Sequence, residues 1–143
     1  MADGANRAHE ILMREVVRAF AEGDLRPLHD ALDDDVVWTE STPASYVRFG
    51  GTRYHRAGVV EAEAHIFAAY VFRRFEPIEI VTSGDVVWGL FRIEATHRPT
   101  DKTVKTDYVA RWRMRNGKIV EHQGFYDTAA VLMQQGQIPT PAG

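Results

Sequence analysis

The chain contains no cysteine. That excludes disulfides, thiolate nucleophiles and cysteine-held metals. No run of 18 apolar residues is present, the length a membrane-spanning helix needs. The first ten residues, MADGANRAHE, hold no apolar core of the signal-peptide kind. The formal net charge of -3 is spread without a basic block, which argues against nucleic acid or an anionic membrane as a partner. A cytoplasmic location is the expectation that remains. No HExxH or comparable close spacing of ligands occurs, so neither metal nor cofactor is expected, and a triad of Glu40, His97 and His122 around a metal is disfavoured. There is no internal repeat or linker. The 143 residues, 45% hydrophobic and 26% charged, read as one domain, 1–143, around one core.

What is present is organised around residues 105–127, KTDYVARWRMRNGKIVEHQGFYD. Asn116-Gly117 between two alternating runs is a hairpin signal, because both central turn residues take positive φ. Before the turn, Tyr108, Ala110, Trp112 and Met114 share one face. After it, Lys118, Val120, His122, Gly124 and Tyr126 alternate with Ile119, Glu121, Gln123 and Phe125. A strand face that mixes His, Gly and Tyr is unlike a sealed core. It predicts a sheet face lining a cavity.

Residues 1–5 read as a loose tail. Residues 6–22 carry a helical pattern, with Ala8, Ile11, Leu12, Val16, Ala19 and Phe20 on the apolar stripe and Gly23 as the stop. Asp24 is placed to cap a second helix with Pro27 in its first turn, ending near Leu32. Asp33–Asp35 reads as a turn and Val36–Glu40 as a strand. Residues 41–54, with Tyr46, Phe49 and Tyr54, read as a long loop able to close over a cavity. A long helix is predicted over 57–75, stopped by Pro77. Strands over 79–82 and 86–98 precede the hairpin, and a short helix over 127–136 follows it. Helices gathered on a mainly antiparallel sheet make an α+β fold.

This order of elements, with the stretches DVVWTE, GDVVWGLFRIEATHR and GKIVEHQGFYDTAAVLMQQG, resembles the SnoaL-like branch of the NTF2-like superfamily over about residues 7–137. The superfamily includes ketosteroid isomerase, polyketide cyclases and scytalone dehydratase. The resemblance implies a cone: a curved sheet wrapped on three helices from the N-terminal half, closed by a short C-terminal helix. It also implies a small-molecule pocket and homodimerisation through the outer sheet face.

The resemblance carries residue roles only in part. Glu40 falls at the position of the isomerase's general base. The isomerase's two oxyanion donors match Val16 and Ala110 or Val109, so both donors are missing. His122 matches the His of the cyclases, but the Asp expected two residues later is Gly124. His97 resembles a His of scytalone dehydratase.

Glu40 ends a strand after an apolar run, where a cavity would make it a general base; an exposed strand end is the plainer reading. His97 shares parity with Phe91, Ile93 and Ala95, and His122 with Gly124 and Tyr126. Either imidazole could move protons, or each could be a satisfied structural group. Catalytic candidates are therefore Glu40, His122, His97 and Tyr126. Pocket walls are expected from Trp38, Tyr46, Tyr54, Phe91, Tyr108 and Trp112. Two functions stay open: an acid–base enzyme of the isomerase, dehydratase, cyclase or hydrolase class on an apolar cyclic or polyketide-like molecule, or a non-catalytic binding or dimerisation module.

Overall fold

A computed structural model describes residues 2–142. They form the helices α1 (Ala2–Ala21), α2 (Arg26–Ala31), α3 (His55–Ala69) and α4 (Thr128–Gln134). The strands are β1 (Leu32–Glu40), β2 (Gly51–Tyr54), β3 (Tyr70–Ser83), β4 (Val86–His97), β5 (Lys102–Arg115) and β6 (Lys118–Tyr126). One sheet runs in the order β2-β1-β6-β5-β4-β3. Only the β1–β6 pair is parallel among the described strands. The α+β fold expected from the sequence is the one observed, with three helices before the long strands and α4 closing the chain.

The β5–β6 hairpin turns at Asn116 and Gly117, with φ of 52° and 74°. Parity along β4 and β5 holds. Phe91, Ile93, Ala95, Ala110 and Trp112 are all buried. On β6 the parity slips. A register shift pairs Arg113 with Glu121 but Met114 with Ile119, leaving Val120 as the extra residue. Ile119 therefore turns into the core and is fully buried, rather than joining the outer face. His122 and Gly124, beyond the shift, face inward as expected.

Several boundaries move. The first helix already includes Ala2–Ala5, which was read as tail. Its buried side is Met13, Val16 and Val17, while Ile11 is exposed. Asp24 accepts from Arg26 N–H at 3.1 Å, but Leu25 is the cap residue of α2. Asp33–Asp35 lies within β1, at its irregularity between Leu32 and Val37. The loop is shorter than expected, because Gly51–Tyr54 pairs with β1 as β2. The long helix stops at Ala69, and Tyr70–Phe75 begins β3. Pro77 is a member of that strand. It is tolerated because β3 is an edge strand and a register shift follows Pro77. No described helix is long and apolar enough to cross a membrane.

Two apolar clusters fill the interior. One joins Met13, Val16, Leu28, Trp38, Phe91, Trp112 and Ile119; the other joins Phe49, Ala62, Tyr70, Ile93, Val104 and Val131. Tyr108 and Phe75 pack against both. Gly117→Ala tests the hairpin's contribution: a Cβ at positive φ costs about 1–2 kcal/mol, read as a lower urea midpoint with the site unchanged.

Candidate functional site

Between the two clusters lies a cavity of about 140 Å³. Its walls come from α1 (Val16, Val17, Phe20), α3, the inner sheet face, the 41–50 loop through Phe49, and α4 through Val131. The polar side chains on it are few. Glu40, Tyr108, His122 and Tyr126 come from the sheet, Thr106 from β5, Tyr70 from β3 and Glu63 from α3.

Strand pairing assembles the main cluster. Glu40 on β1 sits opposite Gly124 on β6, and Gly124 sits opposite Ala110 on β5. The next row is Trp38, His122 and Trp112. With no side chain at Gly124, Tyr108 leans across from β5 and reaches the carboxylate. A Cβ built at Gly124 would stand 2.6 Å from Tyr108 Cζ and also collide with the Tyr108 hydroxyl and Glu40 Oε2. Gly124 is therefore the space into which the Glu40–Tyr108 contact fits. The Asp that the cyclases carry here would have no room.

Glu40 is 6% exposed and His122 3%. Tyr108 donates its hydroxyl proton to Glu40 Oε1 at 2.7 Å, with Oε2 at 3.0 Å. His122 Nε2 lies 2.9 Å from the same Oε1 and 3.2 Å from the Tyr108 oxygen. The Trp38 ring stacks on the imidazole at 3.6 Å and 12°. His122 Nδ1 is buried without a hydrogen-bond partner among the described residues. Since a carboxylate oxygen only accepts, the contact with Oε1 puts a proton on Nε2. Oε1 is thus held by two donors. Oε2 keeps only the longer tyrosine contact and is the atom left to act.

Burial raises the Tyr108 phenol well above its ordinary value, and the adjacent Glu40 charge adds to this. Burial also raises Tyr126, against the opposing hydrogen bond from Thr42. Both phenols therefore stay protonated donors across the neutral range. The Thr42–Tyr126 bond ties the start of the 41–50 loop to the rim of the cavity.

Of the residues expected from the sequence, Glu40, His122, Tyr126, Trp38, Tyr108 and Trp112 line the cavity. Phe91 is buried behind it, stacked on Phe75 at 5.3 Å. Tyr46, in the 41–50 loop, and Tyr54, which β2 carries back along β1, are exposed and do not line it. His97 is buried but not part of the cavity wall. Its Nδ1 meets Thr100 Oγ1 at 2.8 Å in the following turn, and burial lowers its pKa. Sequence reasoning missed Phe20, Tyr70, Phe72 and Phe75 as walls, and missed Glu63 altogether. Glu63 could have been found as the acid that follows Val59 by one turn on the apolar stripe of α3. At the positions resembling the isomerase's oxyanion donors, Val16 lines the cavity and Ala110 is buried. Among the described residues no group of three or more His, Asp or Glu is arranged to hold a metal ion.

Residues 13–122 match the family model of the SnoaL-like domain. No curated protein matches the chain significantly. Among solved structures, an NTF2-like protein of unknown function from Burkholderia pseudomallei is 26% identical. It superposes with a TM-score of 0.81 over 89% of this chain and 96% of that one. TerC, co-crystallised with polyporic acid, is 25% identical with a TM-score of 0.80, covering 90% and 98% of the two chains. A protein of ketosteroid isomerase-like fold from Catenulispora acidiphila, in complex with trimethylamine, is 17% identical. Its TM-score is 0.74 over 91% and 97% of the two chains.

The role of Gly124 has a direct test. Gly124→Ala should cost about 1–3 kcal/mol as overpacking, measured by chemical denaturation. The double variant with Tyr108→Phe should cost less than the sum of the two single changes, because both act on the same contact.

Proposed function

We propose that this chain, which belongs to the SnoaL-like domain family, is an acid–base enzyme acting on a small apolar ring compound. One observation carries the reading. A buried carboxylate stands in an apolar cavity with one oxygen fixed by two donors and the other left to act. Held this way, Glu40 is a pre-aimed general base. Tyr108 and His122 stop the carboxylate from rotating and stabilise its charge until it takes a proton. Tyr126 supplies a further hydroxyl at the cavity wall. His97, bound to its own turn, has no part in this chemistry.

Cavity size limits the substrate. About 140 Å³ is close to an engineered apolar cavity of about 150 Å³ that admits benzene. A single ring with small substituents fits; a fused polycyclic molecule would require the 41–50 loop to move. The co-crystallisation of TerC with polyporic acid is consistent with a small organic ligand in this fold.

The test is carbon-bound proton exchange. Wild-type protein in D₂O should load deuterium next to the carbonyl of cyclohexanone, followed by NMR. Glu40→Gln keeps nearly the same shape and should lower that rate by about 10²–10⁴-fold, the usual contribution of a general base. A wild-type protein that binds ring ketones yet exchanges none of their protons would make the chain a ligand-binding module instead.

The outer sheet face supports a homodimer. Phe125 is 46% exposed there, and Trp88 is exposed as well. Around them, Arg111 and Arg113 pair with Glu121 and Asp85 at 2.9–3.4 Å. An apolar patch framed by ion pairs suits a partner surface. Light scattering at micromolar concentration should give twice the chain mass, and Phe125→Glu should shift it toward the monomer.

A further inference from the structure

The polar groups of the cavity do not all belong to the Glu40 cluster. Glu63 follows Val59 by one turn on the core face of α3, is 2% exposed, and lines the same cavity. Its Oε2 lies 2.9 Å from His29 Nε2, which ties α3 to α2. Its Oε1 is buried and has no hydrogen-bond partner among the described residues. A structural pair between two helices explains Oε2 alone. It gives no reason for a second oxygen, buried and unpartnered, in a residue that forms part of the cavity wall. Buried polar atoms are nearly always satisfied, and an unsatisfied one is costly to keep.

The protonation of Glu63 decides what that oxygen offers. Burial pushes its carboxyl above the usual range, and the opposing pull of His29 is the smaller influence. Among the described residues lining the cavity there is no lysine or arginine to stand against it as a counter-charge. With His29 Nε2–H donating to Oε2, a proton held by the carboxyl sits on Oε1, the oxygen with no other partner among the described residues. Two carboxyls in one site, held in different environments, take opposite acid–base roles. Glu40 is fixed by donors and suited to accept; Glu63 is suited to give.

We infer that Glu63 is the acid partner of Glu40, donating from Oε1 to the carbonyl oxygen of a one-ring ketone bound in the cavity. This deepens the acid–base reading and depends on it for the base. In the step, Glu40 Oε2 takes the proton from the carbon beside the carbonyl. The C–H electron pair becomes the new C=C bond. The carbonyl π pair moves onto oxygen, which takes the proton from Glu63 Oε1. The Glu63 carboxylate left behind is held by His29. Running the step backwards, with the proton returned to the same or a different carbon, restores both acids and gives exchange or isomerisation. No oxidant, reductant or third reactant is consumed.

The experiment reads binding and protonation, not turnover. In the full chain carrying ¹³C-labelled glutamate carboxyls, the Glu63 signal is identified by its loss in Glu63→Gln. It should sit at the position of a protonated acid at pH 7. It should move when cyclohexanone is added and stay still with toluene, an apolar ring of similar size. Glu63→Leu should bind cyclohexanone about 10-fold more weakly, the weight of one buried hydrogen bond, with toluene affinity kept. An ionised Glu63 at pH 7, a signal that cyclohexanone leaves unmoved, or no binding of either probe would overturn the inference. Should Glu63→Leu fail to fold, the wild-type and Glu63→Gln spectra still decide it. A chain that shows these shifts but exchanges no deuterium would lose Glu40 as base while keeping Glu63 as the ligand's donor.

Discussion

A carboxylate taken out of water must have its charge met by the protein, and the centre of this molecule is arranged to meet it at Glu40. Desolvating an unpaired carboxylate would cost several kcal/mol, on the order of the whole stability of a small domain. Here Tyr108 and His122 converge on Oε1. Tyr108 can do so only because Gly124, opposite Glu40, has no side chain in the way. Small residues continue across that row, Gly124 to Ala110 to Gly89, flanked by Tyr126, Tyr108 and Phe91 on one side and by His122, Trp112 and Val87 on the other. The space over Gly124 is filled by Tyr108 and Glu40, and that over Gly89 by Phe91.

The sheet topology places the carboxylate there. Glu40 and His122 lie 82 positions apart in the chain, and they meet because β1 pairs parallel with β6. A parallel pair needs a long crossover, and here it contains α3 and four strands. One segment thus serves as connection, as cavity wall and as the carrier of a second carboxyl. The 41–50 loop closes the same arrangement from outside. It is tied at Thr42 to Tyr126 and delivers Phe49 to the interior.

How legible this was in the sequence depended on how local each determinant is. The Asn116-Gly117 turn and the alternation of Tyr108, Ala110 and Trp112 are short-range signals, and both are seen in the fold. The Ile119 face was misread because a bulge inserts one residue and reverses parity, and nothing in GKIVEH marks it. The stretch Tyr70–Phe75 was read as helix because YVFRRF has both helical spacing and β-branched or aromatic content. Its strand state is set by pairing with His97, Thr96, Ala95, Glu94 and Ile93, a tertiary choice. Tyr46 and Tyr54 sit in a stretch that reads as open chain; β2 fixes Tyr54 outside, and Tyr46 is exposed in the 41–50 loop. Glu40 and His122 were legible individually from strand position. Their contact with Tyr108 was not, since it depends on the register of three strands.

Glu63 shows the other limit. An acid on a helix reads as solvent-facing, and the sequence around it, VVEAEAH, offers Glu61 and Glu63 as near equals. The fold separates them. Glu61 points out to Arg53 and His65, whereas Glu63 turns in. Replacing a buried acid with a hydrocarbon of similar volume is often neutral or stabilising. Local rules of the fold are broken by a carboxylate at the end of an inner strand, a glycine amid aromatics, an imidazole with one nitrogen unpaired and an acid on a helix's core face. Three of them line one cavity, and the glycine adjoins it through Tyr108 and Glu40. Folding alone gives no reason for that coincidence, whereas a pocket that holds a small polar-tipped molecule does.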